Sequence, residues 1–159
     1  MADEKHVRVP LTDLDSERLD TGFYSPDYFT ARSQLRDSGL SVQAIGSFGE
    51  PWSFGAYALT SEIEWTRPGE GVPFFKAESL DSPLVDEGGL SFVTDATHRK
   101  LPKSSVGPGD IVVSTSGTVG RVAVVPTSMP RANSNQDTIK FNPRRSDIDN
   151  YFLAAQLCS

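Results

Sequence analysis

The chain has a single cysteine, Cys158, and two histidines among its 159 residues, and this scarcity excludes several kinds of protein. One cysteine cannot form an internal disulfide, which suits a reducing compartment. The histidines, His6 and His98, are far apart and lack a partner at metal-ligand spacing, so we expect no metal, no cofactor and no catalytic residue. No apolar run approaches the roughly 20 residues of a membrane span, and the opening MADEKHVRVP has no signal-peptide core. These features predict a soluble cytoplasmic protein that does not contact membranes.

Charge is distributed unevenly along the chain. The formal net charge of −6 disfavours nucleic acid as a ligand when the chain is taken as a whole. Residues 1–95 contain 7 Lys and Arg against 17 Asp and Glu, whereas residues 96–145 contain 8 against 2. Because charges are screened over roughly 8 Å, a local basic face can still bind phosphates. If folding interleaves the two halves, no such face forms, and both outcomes stay open.

Sequence patterns typical of helices occur near the beginning and at the end of the chain. SPDYFTARSQLRDSG predicts a helix over residues 25–38, with Ser25 as N-cap, Pro26 in the first helical position and Gly39 at the end. DIDNYFLAAQLCS predicts a closing helix over residues 147–159, which begins near Asp147 or Asp149. Residues 1–24 are expected to form an N-terminal arm.

Strands dominate residues 72–143. Residues 111–113 and 122–125 are β-branched runs joined by turn-forming residues, and GVPFFKAESL and DTIKFNP predict further strands. The order of elements predicts one α+β domain over residues 1–159, in which an irregular twisted β-sheet carries an N-terminal and a C-terminal helix.

The hydroxyl- and glycine-rich segment STSGTVGRVAVV has two interpretations, a phosphate-binding loop or a tight turn between strands. A P-loop requires Lys and then Ser or Thr after its last glycine, followed by a helix, whereas Gly120 is followed by Arg121 and a strand. The segment therefore favours a turn, with Gly117 and Gly120 supplying positive φ angles.

The basic half supplies candidate DNA contacts. Lys and Arg bind phosphates, Arg can pair with guanine and amides can pair with adenine. Candidate phosphate contacts are Arg99, Lys100, Lys103, Arg144 and Arg145. Further candidate DNA contacts at or next to the turn are Ser116, Thr118 and Arg121, and candidate base contacts in the amide-rich RANSNQD segment are Arg131, Asn133 and Gln136. The alternative is structural, because Asn- and Ser-rich loops are common and surface Lys and Arg usually serve solvation. Gln136 in particular can satisfy buried backbone groups.

Five segments occur in an order that resembles a known family. They are RLDTGFYSPDYF, GVPFFKAESL, LPKSSVGPGDIVVSTSGTVGRVAVVP, SNQDTIKFNP and DIDNYFLAAQLCS. Together they resemble a target-recognition domain of the type I restriction-modification specificity (S) subunit family, which is also found in fused type II methyltransferases. The most specific part is Gly109-Asp110-Ile, a short strand, Ser-Gly-Thr-Val-Gly and a second strand. Residues 40–66 are the least recognisable.

The resemblance implies recognition of one half of a bipartite double-stranded DNA target on behalf of separate methyltransferase and nuclease subunits. Type I subunits carry two such domains, joined by long spacer helices. The expected spacer is absent after Ser159, so a second recognition domain or self-association is a further expectation. In this family Gly109, Gly117 and Gly120 are structural turn residues, and Asp110 holds a loop. The chain itself is expected to carry out no chemistry.

Two other functions stay open. The same fold can serve as a protein-interaction module that has lost its DNA face, which suits the acidic first half and a pI near 4.8. A small enzyme that uses the Ser- and Thr-rich turn is the third interpretation.

Overall fold

The computed structural model describes residues 8–10, 14, 22–49, 51–53, 60–143 and 147–158. Two compact units divide the chain, residues 1–44 and residues 45–159. The helices and strands in the described residues are α1 (Pro26–Asp37), β1 (Pro51–Ser53), β2 (Val72–Phe75), β3 (Leu80–Asp81), β4 (Leu84–Val85), β5 (Ser91–Val93), α2 (Asp95–Lys100), β6 (Ser105–Val106), β7 (Ile111–Ser114), β8 (Val122–Val124), β9 (Ala132–Ser134), β10 (Thr138–Phe141) and α3 (Asn150–Leu157).

The first unit contains α1, which begins as the sequence predicts. The Ser25 side chain accepts a hydrogen bond from the Tyr28 amide, Pro26 opens the helix, and Gly39 follows it with a φ of 71°. No residue of α1 is buried. The helix therefore depends on its local capping and on ring contacts among neighbouring aromatic residues, such as the 4.6 Å centroid distance between Phe23 and Tyr28.

The second unit is built on two four-stranded sheets. The first sheet has the strand order β1-β10-β7-β8 and is antiparallel throughout. The second has the order β5-β2-β9-β6, in which β2 and β9 run parallel and the other pairs run antiparallel. Strands β3 and β4 form a separate hairpin. The α+β class predicted from the sequence is confirmed, although the strands divide between two sheets where one irregular sheet was expected.

The main core lies between the two sheets. Side chains alternate along each strand, so one face of each sheet points inward. The first sheet contributes Val112 and Ala123, and the second contributes Phe75, Val106 and Ala132, all of them buried. Two layers of sheet thus bury one shared core.

Each outer face is covered by a helix. Helix α3 packs Leu153 and Ala154 against Ile111, Val122 and Val124 of the first sheet. Its N-cap is Asp149, whose carboxylate accepts a hydrogen bond 2.8 Å long from the Phe152 amide. The predicted C-terminal helix is therefore confirmed.

The outer face of the second sheet is covered by α2 and the turn that follows it. Val72, Phe74 and Val93 of this sheet form a buried cluster with Leu101, which directly follows α2. The sequence did not predict α2, because residues 95–100 lack an apolar periodicity. Its position is fixed by tertiary contacts.

The β3–β4 hairpin covers the free edge of the first sheet. Strand β8 pairs with β7 on one side only. On its other side, the Val122 amide donates to Ser82 Oγ at 2.9 Å and the Val124 amide donates to the Pro83 carbonyl at 3.0 Å. Both outward-facing donors of this edge strand are therefore satisfied.

None of the helices in the described residues is long and apolar enough to cross a membrane.

Candidate nucleic-acid interface

A basic segment, residues 99–103, covers the second sheet. Arg99 and Lys100 lie in the last turn of α2, and Lys103 lies in the short 3-10 turn that follows. All three residues are exposed. The side chain of Thr94 caps the start of the helix by accepting from the Thr97 amide. Three cations are thus presented to solvent from a helix and turn that are held against the sheet.

The side chain of Asn133, in β9, hydrogen-bonds to the helix and turn that carry this segment. Its side chain is fully buried, and Nδ2 donates to the Leu101 carbonyl at 3.1 Å and to Ser104 Oγ at 2.7 Å. Oδ1 lies 2.6 Å from His98 Nδ1, which must therefore be the donor and carry the proton. This placement differs from the sequence expectation of a base contact, because no atom of Asn133 reaches the surface and both ends of its amide are already bonded.

Arg131 joins the other end of α2. Its Nη1 lies 2.5 Å from Asp95 Oδ1 in the first turn of the helix, and both side chains are about half exposed. An exposed ion pair contributes little stability, so Arg131 can exchange this partner for another anion at small cost. The two other predicted cations, Arg144 and Arg145, lie outside the described residues.

The turn between β7 and β8 is organised by Ser114. Its hydroxyl, 1% exposed, donates to the Thr118 carbonyl at 2.5 Å and accepts from the Arg121 amide at 2.9 Å. Gly117 and Gly120 have φ angles of 70° and 88°, and no atom lies within 4 Å of where a Cβ would stand on either. The turn is therefore braced from inside while its outer side is open to solvent.

A second turn, residues 135–137 between β9 and β10, is hydrogen-bonded to the turn between β7 and β8. The backbone amide and hydroxyl of Thr115 donate to the Asp137 carbonyl at 2.7 and 3.2 Å. Within the second turn, Asn135 Oδ1 accepts from the Asp137 amide, and Asn135 Nδ2 donates to Asp137 Oδ2 at 2.9 Å. Gln136 lies half-buried at the tip of this turn. The two turns therefore form one rigid unit at the ends of β7, β9 and β10.

The two turns and the 3-10 turn Ala77–Ser79, which follows β2, line an open polar cleft of about 420 Å³. Its lining includes Glu78, Ser116, Thr118, Arg121, Asn135 and Asp137. The Arg121 guanidinium has no ion-pair partner among the described residues, although two carboxylates line the same cleft. The cleft therefore presents a cation, hydroxyls and carboxylates that are not neutralised by one another.

Gly109 and Asp110 support the scaffold beside β7. Asp110 is 4% exposed and accepts from the Gly107 amide at 3.0 Å and from the side-chain amide of Asn142. Gly109 has a φ of 84°. Its carbonyl accepts a hydrogen bond from Asn150 Nδ2, and a Cβ added at Gly109 would lie 3.0 Å from the same nitrogen. The bonds of both residues are thus made within the fold.

The fold brings to these surfaces three residues that the sequence patterns do not single out. Asp137 and Glu78 enter the cleft beside Arg121 because the parallel strands β2 and β9 end at the same edge of their sheet. Trp65 is half exposed, and Lys76 Nζ lies 4.8 Å from its ring centroid. No sequence signal joins these residues, since their proximity arises from strand pairing between distant segments. Among the described residues, no group of three or more His, Cys, Asp or Glu could hold a metal ion.

Comparison with known proteins finds similarity in fold alone. No protein-family model matches the chain, and no curated protein matches it. A solved chain from a structure concerned with complex assembly and conformational transition of the type I R-M system superposes with a TM-score of 0.50 and 14% identity. The match covers 81% of this chain and 32% of that one.

The HsdS subunit from Thermoanaerobacter tengcongensis aligns with a TM-score of 0.49 and 16% identity, over 83% of this chain and 35% of the subunit. This chain thus spans about a third of the length of the solved chains that it resembles. The resemblance noted in the sequence is confirmed at the level of the fold.

Proposed function

We propose that this chain recognises sequence in double-stranded DNA for a restriction-modification system, as the reader of one half of a bipartite target. Separate methyltransferase and nuclease subunits would carry out the chemistry. The shared fold with a chain of a type I R-M system supports this assignment. The assignment to the specificity subunit family rests on this likeness and on the ordered sequence segments.

The observation that carries the proposal is the basic segment on its rigid support. Arg99, Lys100 and Lys103 are exposed on one short stretch, and the buried Asn133 amide bonds Leu101 within that stretch and the residues that flank it on either side. Because the segment is held in one conformation, its cations bind phosphates without the entropic cost of ordering a loop. Phosphate contacts of this kind position a protein on the duplex and carry no sequence information.

Sequence discrimination is assigned to the rigid pair of turns. Ser116, Thr118 and Arg121 are exposed on the first turn, and Gln136 lies on the second. Hydroxyl, guanidinium and amide groups all hydrogen-bond to base edges in the major groove. Asn133 does not belong to the contact set, because its buried amide serves the scaffold.

The experiment is selection of bound sequences from a random duplex pool at low salt. The wild-type chain is expected to enrich a motif of a few base pairs, and the double variant Lys100→Glu/Lys103→Glu is expected to capture little DNA. The matched control is Arg32→Glu/Arg36→Glu in the exposed helix α1, which makes the same change in charge at residues that are not among the proposed contacts. Absence of any enriched motif and of salt-sensitive binding by the wild type would overturn the proposal.

A second candidate function, a protein-interaction module, is favoured by α3. Phe152 is 63% exposed, and Tyr151 and Leu157 are also exposed on this helix, whose opposite side packs on the first sheet. Exposed apolar residues grouped on one element often mark protein contacts. Two results together would support this function in place of DNA recognition. The wild type would select no DNA motif, and Phe152→Ser would abolish binding to a methyltransferase subunit.

A further inference from the structure

The polar cleft between the two turns is lined by a carboxylate, which accepts hydrogen bonds, and by a guanidinium group, which donates them. Asp137 supplies the acceptor and Arg121 supplies the donors, and both line the cleft. Arg121 has no ion-pair partner among the described residues, so its donors are not consumed by Asp137. Asp137 uses Oδ2 to accept from Asn135, and within the described residues Oδ1 has no hydrogen-bond partner. Within the described residues, the Asp137 Oδ1 acceptor and the Arg121 guanidinium donors therefore line the same cleft without a partner in the protein.

This pattern matches the major-groove edge of one base pair. Cytosine presents its N4 amino group, which a carboxylate accepts from, and guanine presents O6 and N7, which an arginine binds in bidentate fashion. In a C·G pair these groups lie next to one another on the same edge. An A·T pair offers no adjacent pair of acceptors to the guanidinium fork.

A carboxylate is unfavourable near DNA unless it meets a base donor. Phosphates repel it, and its desolvation is costly when no donor replaces water. The backbone of Asp137 is bonded to Asn135 and Thr115, and its carboxylate accepts one hydrogen bond from Asn135, so the turn orients the carboxylate in the cleft. Its presence therefore restricts the sequences that the cleft can accept.

We propose that the cleft recognises one C·G base pair, with Asp137 accepting from cytosine N4 and Arg121 donating to guanine O6 and N7. This inference rests on the proposed DNA-recognition function and names the base pair at that site. The Asp137 carboxylate is oriented by its hydrogen bond from Asn135, and the backbone of Arg121 is fixed by Ser114.

The test uses an isosteric exchange. In Asp137→Asn, the new Oδ1 can keep the hydrogen bond from Asn135, which turns Nδ2 into the cleft and replaces an acceptor with a donor. The full chain is subjected to selection from the random duplex pool as wild type, Asp137→Asn, Arg121→Ala and Glu62→Gln. Glu62→Gln is the matched control, because it removes one negative charge at an exposed residue that does not line the cleft. Unfolding curves verify that each variant is folded.

The wild-type motif is expected to contain a C·G pair. Asp137→Asn should lower the preference for cytosine at that pair about tenfold and favour a base with a keto group, whereas Arg121→Ala should relax the same pair. Glu62→Gln should leave that preference unchanged.

An enriched wild-type motif that either variant leaves intact, or that the two variants alter at different base pairs, overturns the inference and leaves the proposed function standing. A change in the same cytosine preference with Glu62→Gln also overturns it, since charge alone would then be the cause. No enriched motif in the wild type overturns the proposed function itself.

Discussion

Asn133 Oδ1 lies 2.6 Å from His98 Nδ1, so a fully buried amide in β9 is bonded to the ring of a residue in α2. The same amide donates to the Leu101 carbonyl and to Ser104 Oγ. One side chain therefore connects the second sheet to three successive points of the helix and turn that carry the basic segment.

Replacing Asn133 with Ala is expected to destabilise the protein. The change removes three hydrogen bonds at a buried position, but the Leu101 carbonyl and Ser104 Oγ keep their bond to each other, so the total loss should be about 1–3 kcal/mol. Urea unfolding should show a midpoint well below that of the wild type. Asn135→Ala in the neighbouring turn is the comparison, since Asn135 is only half-buried. A midpoint for Asn133→Ala equal to the wild-type value would mean that the amide does not support the segment.

Lys100→Glu is expected to weaken binding to all DNA sequences by a similar factor. A contact with phosphate carries no base information, so the preferred motif should be unchanged. The slope of log K against log salt concentration should decrease by about 0.9 for each phosphate contact that is lost. Titration of one duplex at several salt concentrations measures this slope. If the variant binds as tightly as the wild type, residues 99–103 do not face DNA.

Gly120→Ala is expected to cost about 1–2 kcal/mol, because the φ of 88° at this position is strained for a residue with a Cβ. Steric contact is not the cause, since no atom lies within 4 Å of the place that the added Cβ would occupy. Gly46→Ala is the matched control: its surroundings are equally open and its φ is not positive, so the change should be neutral or slightly stabilising. Thermal unfolding of the two variants separates backbone strain from contact.

Ser114→Ala and Ser116→Ala are expected to differ although the two serines are two residues apart. Ser114 is buried and bonds two backbone groups of the turn, so its loss should cost about 1–3 kcal/mol. Ser116 is exposed, and its removal should change the unfolding free energy by less than about 0.5 kcal/mol. Denaturant unfolding gives both values. Equal losses would show that the hydroxyl of Ser114 does not brace the turn.

Local sequence signals predicted the elements that depend on local chemistry. The caps at Ser25 and Asp149 and the β-branched runs of β7 and β8 act within a few residues, so α1, α3 and the hairpin could be anticipated. Helix α2 could not, because its six residues have no apolar pattern and its position depends on bonds to Asn133 and Glu64.

Strand β9 was mistaken for part of a polar loop for a related reason. Its residues Ala132–Ser134 are all buried, and Asn133 is tolerated in the core only because groups from α2 and the following turn satisfy it. These hydrogen-bond partners lie about 30 positions away in the sequence, so the local composition around Asn133 could not indicate them. The candidate site was affected in the same way: Arg121 was named from its position after the turn, but Asp137 joined it only once the turns were paired.

The hydrogen bonds from Val122 and Val124 to the β3–β4 hairpin have a consequence for the behaviour of the protein in concentrated solution. An edge strand with free amides is a template for a strand of another molecule, and such pairing begins aggregation. Strand β8 is short, wholly buried and already bonded on its outer side, so its apolar sequence VAV is withheld from such association. A change at Ser82 that opens this edge would therefore be expected to appear first as loss of solubility during expression.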